Sequence, residues 1–244
     1  MTESTKPLRK VAIFDIDGTI FRSSLLIELV EMLIELGHFP VSVRQDYEDQ
    51  KVQWLERKGD YESYIMAVVK VFVKNIKGMP YDELARASEL VVARYRHRTY
   101  KYTEELIKEL KEEGYFLLAI SQSPKTTLDY FCKDVGFDKT YGRIYETDEQ
   151  GLLTGRIVDE DVIATKANIV RRACEKEGLT LEGSVGVGDT EGDISMLEIV
   201  ERPICFNPNL KLYEHAMKAG WEAVVERKDV IYKLNSKQNY GTTK

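Results

Sequence analysis

Donors for a soft metal are scarce in this sequence, and so is the material for disulfide staples. The 244 residues include three cysteines and three histidines. Cys132, Cys174 and Cys205 lie far apart, form no CxxC pair and leave an odd one over, as expected of reduced thiols that serve as small core residues. His38, His97 and His215 show no ligand spacing, so they are read as ordinary side chains. Positive charge is not in surplus either. Against 41 Asp and Glu stand 35 Lys and Arg, and the net charge of -6 gives no electrostatic footprint for nucleic acid. The most apolar stretch, SSLLIELVEMLIELG at 23–37, is interrupted by Glu28, Glu31 and Glu35, which makes it too short and too charged to span a bilayer. MTESTKPLRK at the start has no apolar core of a secretory signal. The expectation is a cytoplasmic protein with no integral membrane association, a monomer or homodimer, free of repeats and low-complexity tracts.

What is present is the composition of a globular domain, 43% hydrophobic and 31% charged. Short apolar runs read as buried strands at Val11 to Phe14, Phe116 to Ile120, Val185 to Val187, Ile204 to Phe206 and Ala223 to Val225. Helical patterns alternate with them. TEELIKELKEEG, capped by Thr103, places Leu106, Ile107 and Leu110 on one face and stops at Gly114 before YFLLAI. PKTTLDYFCKDVG, a segment from about Ile163 to Glu177, and ISMLEIV are further helices. Such alternation predicts a doubly wound, Rossmann-like parallel sheet of the α/β class, covered on both faces. YGRIYETDEQGLLTGRIVD, at 141–159, reads as a hairpin around DEQG.

Between the first strand and the second lie about a hundred residues with helical patterns only, at 24–36, 43–57, 61–75 and 81–98. One crossover needs one helix, so the excess predicts an inserted all-helical cap. The expected division is an α/β core of 8–20 and 100–233, a cap of 21–99, and a disordered tail of 234–244.

Polar clusters follow the apolar runs. In open α/β sheets ligands bind beyond the carboxyl ends of the strands, which is where DIDGT (15–19), SQSP (121–124) and GDTEGD (188–193) fall, with Lys166 at the start of an intervening helix. Asp15 and Asp17 either cap the turn or form an acidic pocket, in which close carboxylates call for a cation or a shared proton. Gly18 permits the turn, and Thr19 offers a hydroxyl. Asp189 and Asp193 are four apart, suited to face the same cleft from a helix start or to N-cap it. Oxygen ligands without His or Cys select Mg2+. Ser121 and Gln122 precede a helix whose free amides can hold an anion; the bland alternative is a plain turn. Lys166 alone reads as a surface lysine, and its interest lies in offsetting the acids and a phosphoryl group.

Together FDIDGTI, AISQSP, Lys166 and GVGDTEGDISML resemble, in order and spacing, the motifs of the haloacid dehalogenase superfamily of aspartate-nucleophile phosphatases. The helical insert is similar to that of its phosphoserine phosphatase-like branch. The resemblance implies a Mg2+-dependent phosphomonoester hydrolase acting on a small phosphorylated metabolite. Asp15 is then the nucleophile, Asp17 the acid and base, Ser121 a phosphoryl ligand and Lys166 the group that orients Asp15. The metal falls to Asp15, the carbonyl of Asp17, Asp189 and Asp193. Phosphoserine phosphatases carry a Glu nine residues after the nucleophile, where this chain has Ser24; Gln122 and Gly192 replace a Gly and an Asn. Arg22 and Ser24 therefore suggest a more anionic or hydroxylated leaving group. Phosphoserine hydrolysis and phosphotransfer remain alternatives. A phosphate- or nucleotide-binding module is the remote one, since Asp189 in GVGDTEG would repel a pyrophosphate.

Overall fold

The computed structural model describes residues 8–158 and 165–234. The start of the helix expected from Ile163 and the tail expected to be disordered, from residue 235 on, lie outside the described residues. Among those residues the central element is an eight-stranded sheet in the order β4-β3-β2-β1-β5-β6-β7-β8. Its strands are β1 (Arg9–Phe14), β2 (Phe116–Pro124), β3 (Lys139–Thr147), β4 (Leu153–Val158), β5 (Leu179–Gly188), β6 (Arg202–Phe206), β7 (Glu222–Arg227) and β8 (Val230–Leu234). Pairing is parallel from β3 to β7, and the two edge strands are antiparallel.

The apolar runs are continuous because the central strands bury both faces. Along β1, Ala12 and Phe14 enter one core, while Val11 and Ile13 enter the other; Leu117 and Ala119 of β2 alternate in the same way with Leu118 and Ile120. Each of these side chains larger than alanine contributes about 1.5–3 kcal/mol on burial. The first core is covered by α5 (Lys101–Glu112) and α6 (Lys125–Val135). The second is covered by α7 (Lys166–Glu177), the single turn α8 (Ile194–Leu197) and α9 (Leu210–Ala219). This is the α/β architecture expected, with two differences. β8 carries no clean alternation and was not anticipated. Thr103 does not cap α5: the helix starts at Lys101 behind Tyr100, and the buried Thr103 hydroxyl donates to the carbonyl of Thr19 at 3.0 Å, tying α5 to the first acidic loop.

Between β1 and α5 the chain forms α1 (Leu25–Glu35), α2 (Gln45–Leu55), α3 (Tyr61–Ile76) and α4 (Tyr81–Tyr95). α3 obeys the amphipathic rule: Asp60 caps it by accepting from the Ser63 amide, and Tyr64, Val68, Val71 and Phe72 bury one stripe. That stripe belongs to the first core, so the insert and the sheet face share one apolar interior. The β3–β4 hairpin reaches up to meet it. The amide of Gly78 donates to the carbonyl of Leu153 at 2.7 Å, and Phe72 packs edge-on against Tyr145 with centroids 5.2 Å apart. Cys132, Cys174 and Cys205 are free thiols, two of them buried.

Candidate active site

β1 is flanked by β2 on one side and β5 on the other, so the connections leave it in opposite directions and open a crevice at its carboxyl end. Asp15 is the first residue beyond β1, and its amide donates to the carbonyl of Val187 on β5 at 2.9 Å. The chain then turns sharply. The amides of Ile20 and Phe21 both donate to the carbonyl of Ile16, and Gly18 sits at φ +86°. A Cβ on Gly18 would lie 2.1 Å from Asp189 Oδ2, so both the backbone angle and the close approach require glycine.

Three strand-end segments and the start of α7 meet here. Lys166, the first residue of α7, is buried and donates to Asp15 Oδ1 at 2.5 Å, to Asp193 Oδ1 at 2.6 Å and to the carbonyl of Ile120 at 3.3 Å. All three of its donors are used, and it is no surface lysine. Asp193 spends its other oxygen on the amides of Asp189 and Thr190, both at 3.0 Å, within a capping box formed with Thr190. Gly188 makes room for this, since a Cβ there would lie 2.5 Å from that of Asp193. Asp15, Asp189 and Asp193 bring one carboxylate oxygen each within 4.8 Å of one another, an acidic group able to hold a metal. Thr19, fully buried, donates to Asp189 Oδ1 at 3.4 Å.

The electrostatics of the group are those of crowded, desolvated acids. Burial pushes the Asp15 carboxyl up to about 7; Lys166 opposes that shift, while Asp193 and Asp17 add to it. Burial, with Asp15 and Asp193 as neighbours, holds Asp189 well above the ordinary carboxylate value. Burial alone would push the Lys166 ammonium down, but Asp15 and Asp193 override it and hold it up. One buried side-chain oxygen among the described residues has no hydrogen-bond partner, and it is Asp15 Oδ2. An unpaired acceptor beside two further carboxylates, with no nitrogen or sulfur ligand, fits a hard divalent cation such as Mg2+.

Asp17 adds no carboxylate to this group. Its Oδ1 accepts from the amide of Leu25 at 2.6 Å, which makes the acid, and not Ser24, the side chain that caps α1. Its Oδ2 accepts from the hydroxyls of Ser121 at 2.5 Å and Ser123 at 2.9 Å. Ser123 was missed in the sequence. The signal was there, because β2 runs on to Pro124 and residues two apart on a strand share a face.

A cavity of about 430 Å3 opens over the acids. Its floor includes Asp15, Asp17, Ser123, Lys166 and Asp189, and its roof is the face of α3 made by Tyr61, Glu62, Ile65, Met66 and Val69. Ser24 and Gln122 line it too, as does Arg143 of β3, for which the sequence carried no signal. Gln122 Oε1 accepts from Arg143 Nε at 2.8 Å. Arg22 lies elsewhere. Its guanidinium is 5.3 Å from the centroid of the Tyr100 ring, on an adjoining cavity that shares Asp189 and Tyr61 with the first, so it does not meet Ser24 around one leaving group as expected. The basic cluster at 94–98 is held in ion pairs, Arg94 with Glu35, Arg96 with Asp134 and Arg98 with Glu28. No helix among the described residues is long and apolar enough to cross a membrane.

Comparison with known proteins gives the family. The family model of the haloacid dehalogenase-like hydrolases matches residues 12–198. A phosphoserine phosphatase of Archaeoglobus fulgidus is 29% identical over 200 residues, 82% of this chain and 53% of that protein, so the chain spans about half the length of this relative. A phosphoserine phosphatase of Methanocaldococcus jannaschii is 25% identical over 224 residues, 91% of this chain and 94% of that protein. Among solved structures, a phospho-aspartyl intermediate analogue of phosphoserine phosphatase is similar in fold, with a TM-score of 0.61 at 23% identity over 91% of this chain and 96% of that one.

Proposed function

Because the chain belongs to the haloacid dehalogenase-like hydrolases, in the phosphoserine phosphatase-like branch, we propose that it is a Mg2+-dependent phosphomonoester hydrolase working through an aspartyl phosphate on Asp15. The observation that carries the reading is the state of Asp15. One of its oxygens is pinned by the buried Lys166, while the other is buried without a partner at the floor of a cavity.

Asp15 attacks phosphorus, the bond from phosphorus to the ester oxygen breaks, and Asp17 delivers a proton to the departing alkoxide. Asp17 then takes a proton from a water molecule that attacks the same phosphorus, and the bond from Asp15 to phosphorus breaks. Ser121 and Ser123 are placed for both half-reactions. Their hydroxyls donate to Asp17, and rotation about the Cα–Cβ bond turns them to phosphoryl oxygens. Lys166 keeps Asp15 oriented and opposes the negative charge that gathers during transfer. Asp15, the main-chain carbonyl of Asp17 and Asp189 would hold the cation, with Asp193 fixing Lys166 and the Asp189 loop. When bound, the metal neutralises charge so that an anionic nucleophile can approach an anionic phosphate.

Phosphoserine is the second reading for the substrate, since relatives carry that name. Phosphate release across amino acid, sugar, polyol, nucleotide and lysolipid monophosphates tests both. The expected result is release that EDTA abolishes and Mg2+ restores. Undiminished release in chelator contradicts the metal, and rapid turnover of phosphoserine selects the second reading. Retention of the phosphoryl group on an added alcohol identifies phosphotransfer.

A further inference from the structure

α3 presents two different faces. Tyr64, Val68, Val71 and Phe72 are buried in the core, whereas Glu62, Ile65, Met66 and Val69 line the cavity at the three-and-four spacing of one helical face. Ile65 and Val69 pack partly against the first core, while Met66 is 42% exposed, so the stripe keeps apolar surface on its cavity side. The two ends of the roof have different surroundings. Glu62 lies on the side of Lys211, which is paired with Glu191 at 2.6 Å. The other end is anchored where Phe72 meets Tyr145 of β3, two residues along the strand from Arg143, whose Nε is fixed by Gln122. From Glu62 to Val69 the helix rises about 10 Å.

We propose that the substrate is the phosphate ester of an alcohol with an aliphatic body and a distal anionic group. The phosphate sits at Asp15, the body lies along Ile65, Met66 and Val69, and Arg143, positioned by Gln122, binds the far anion. This inference rests on the phosphatase reading. It names the part of the substrate that the motifs leave blank, and makes Arg143 a specificity-determining residue. A carboxylate and a second phosphate share the required chemistry, because a guanidinium fork accepts either.

The test uses the whole 244-residue chain with Mg2+ and three ester series of matched length, from butyl to octyl: n-alkyl phosphates, ω-phosphooxy-alkanoates and ω-aminoalkyl phosphates. An α,ω-alkanediol bisphosphate series distinguishes a second phosphate from a carboxylate. The wild type is expected to favour an anionic-tailed ester over the n-alkyl ester of equal length by about tenfold or more in kcat/KM, the worth of one charge-assisted hydrogen bond. Arg143→Ala should bring that ratio close to one, and Arg143→Glu should turn the preference towards the ω-amino series. Far-ultraviolet circular dichroism and melting of each variant establish that it is folded. A ratio near one in the wild type, or a ratio that Arg143→Ala leaves unchanged, overturns the inference while the phosphatase reading stands. No phosphate release from any ester overturns both.

Discussion

At the floor of the cavity and just beneath it, Asp15, Lys166 and Asp193 are 6%, 7% and 0% exposed, and all but one of their side-chain polar atoms have a partner. On the roof Met66 is 42% exposed, and Ile65 and Val69 are half-buried, packed partly against the core while lining the cavity. The floor is built from strand ends, where hydrogen bonds from four segments fix each group before substrate arrives. The roof is one helix face whose central stretch, Ile65, Met66 and Val69, is apolar, with Tyr61 and Glu62 at one end. Chemistry on a phosphoryl group needs preorganised charge, while choice of a leaving group needs only a shape and a distal contact. The same division explains why one floor can serve many substrates under different roofs.

Asp15→Asn is the harshest way to break the floor. It keeps the shape and removes the nucleophile, so phosphate release should fall by about four orders of magnitude or more, with the circular dichroism spectrum intact. Retained turnover would end the assignment. Lys166→Met comes next, since it leaves Asp15 and Asp193 buried with no counter-charge. Denaturant unfolding should show a loss of about 3–5 kcal/mol, together with a lower kcat.

Metal and pH probe the same acids more gently. Folding raises the Asp15 carboxyl from its ordinary 3.8 to about 7, and Asp189 moves the same way. In the metal-free protein their contribution to stability is fully present below the unfolded value and is lost as pH rises through the folded one. A bound cation requires both in the charged form, so the rise in Tm on adding Mg2+ should grow from about pH 5 to about pH 8. A rise independent of pH would remove these carboxyls from the metal site.

The smallest effect belongs to the roof. Met66→Gln should raise KM for aliphatic esters by about threefold to tenfold, in line with the loss of apolar contact at a half-exposed position, and leave stability unchanged. A fall in kcat with constant KM would mean that α3 does more than select.

The two regions also differ in how far the sequence reveals them. Asp15, Asp17, Ser121, Lys166, Asp189 and Asp193 could all be named before any coordinates, because each follows a buried strand or opens a helix and the α/β rules send such positions to one edge. Lys166 shows the limit of that reasoning. Alone it is indistinguishable from a surface lysine, and only the sheet order brings it between Asp15 and Asp193. Ser123 was legible from strand alternation but went unread. Arg143 and the α3 stripe were not legible, because their role depends on how the hairpin and the insert lean over the strand ends, a tertiary fact with no local code. Arg22 is the converse case: near the acids in sequence, it lies against Tyr100 and on a different cavity from Ser24.

The central claim is that Asp15 accepts the phosphoryl group. Rapid acid quench during turnover of a phosphomonoester, followed by peptide mass spectrometry, tests it directly. The account predicts a transient phosphate adduct on Asp15, absent from Asp15→Asn and longer-lived when Asp17 is replaced by Asn. Steady phosphate release with no adduct on Asp15 at any quench time would contradict it.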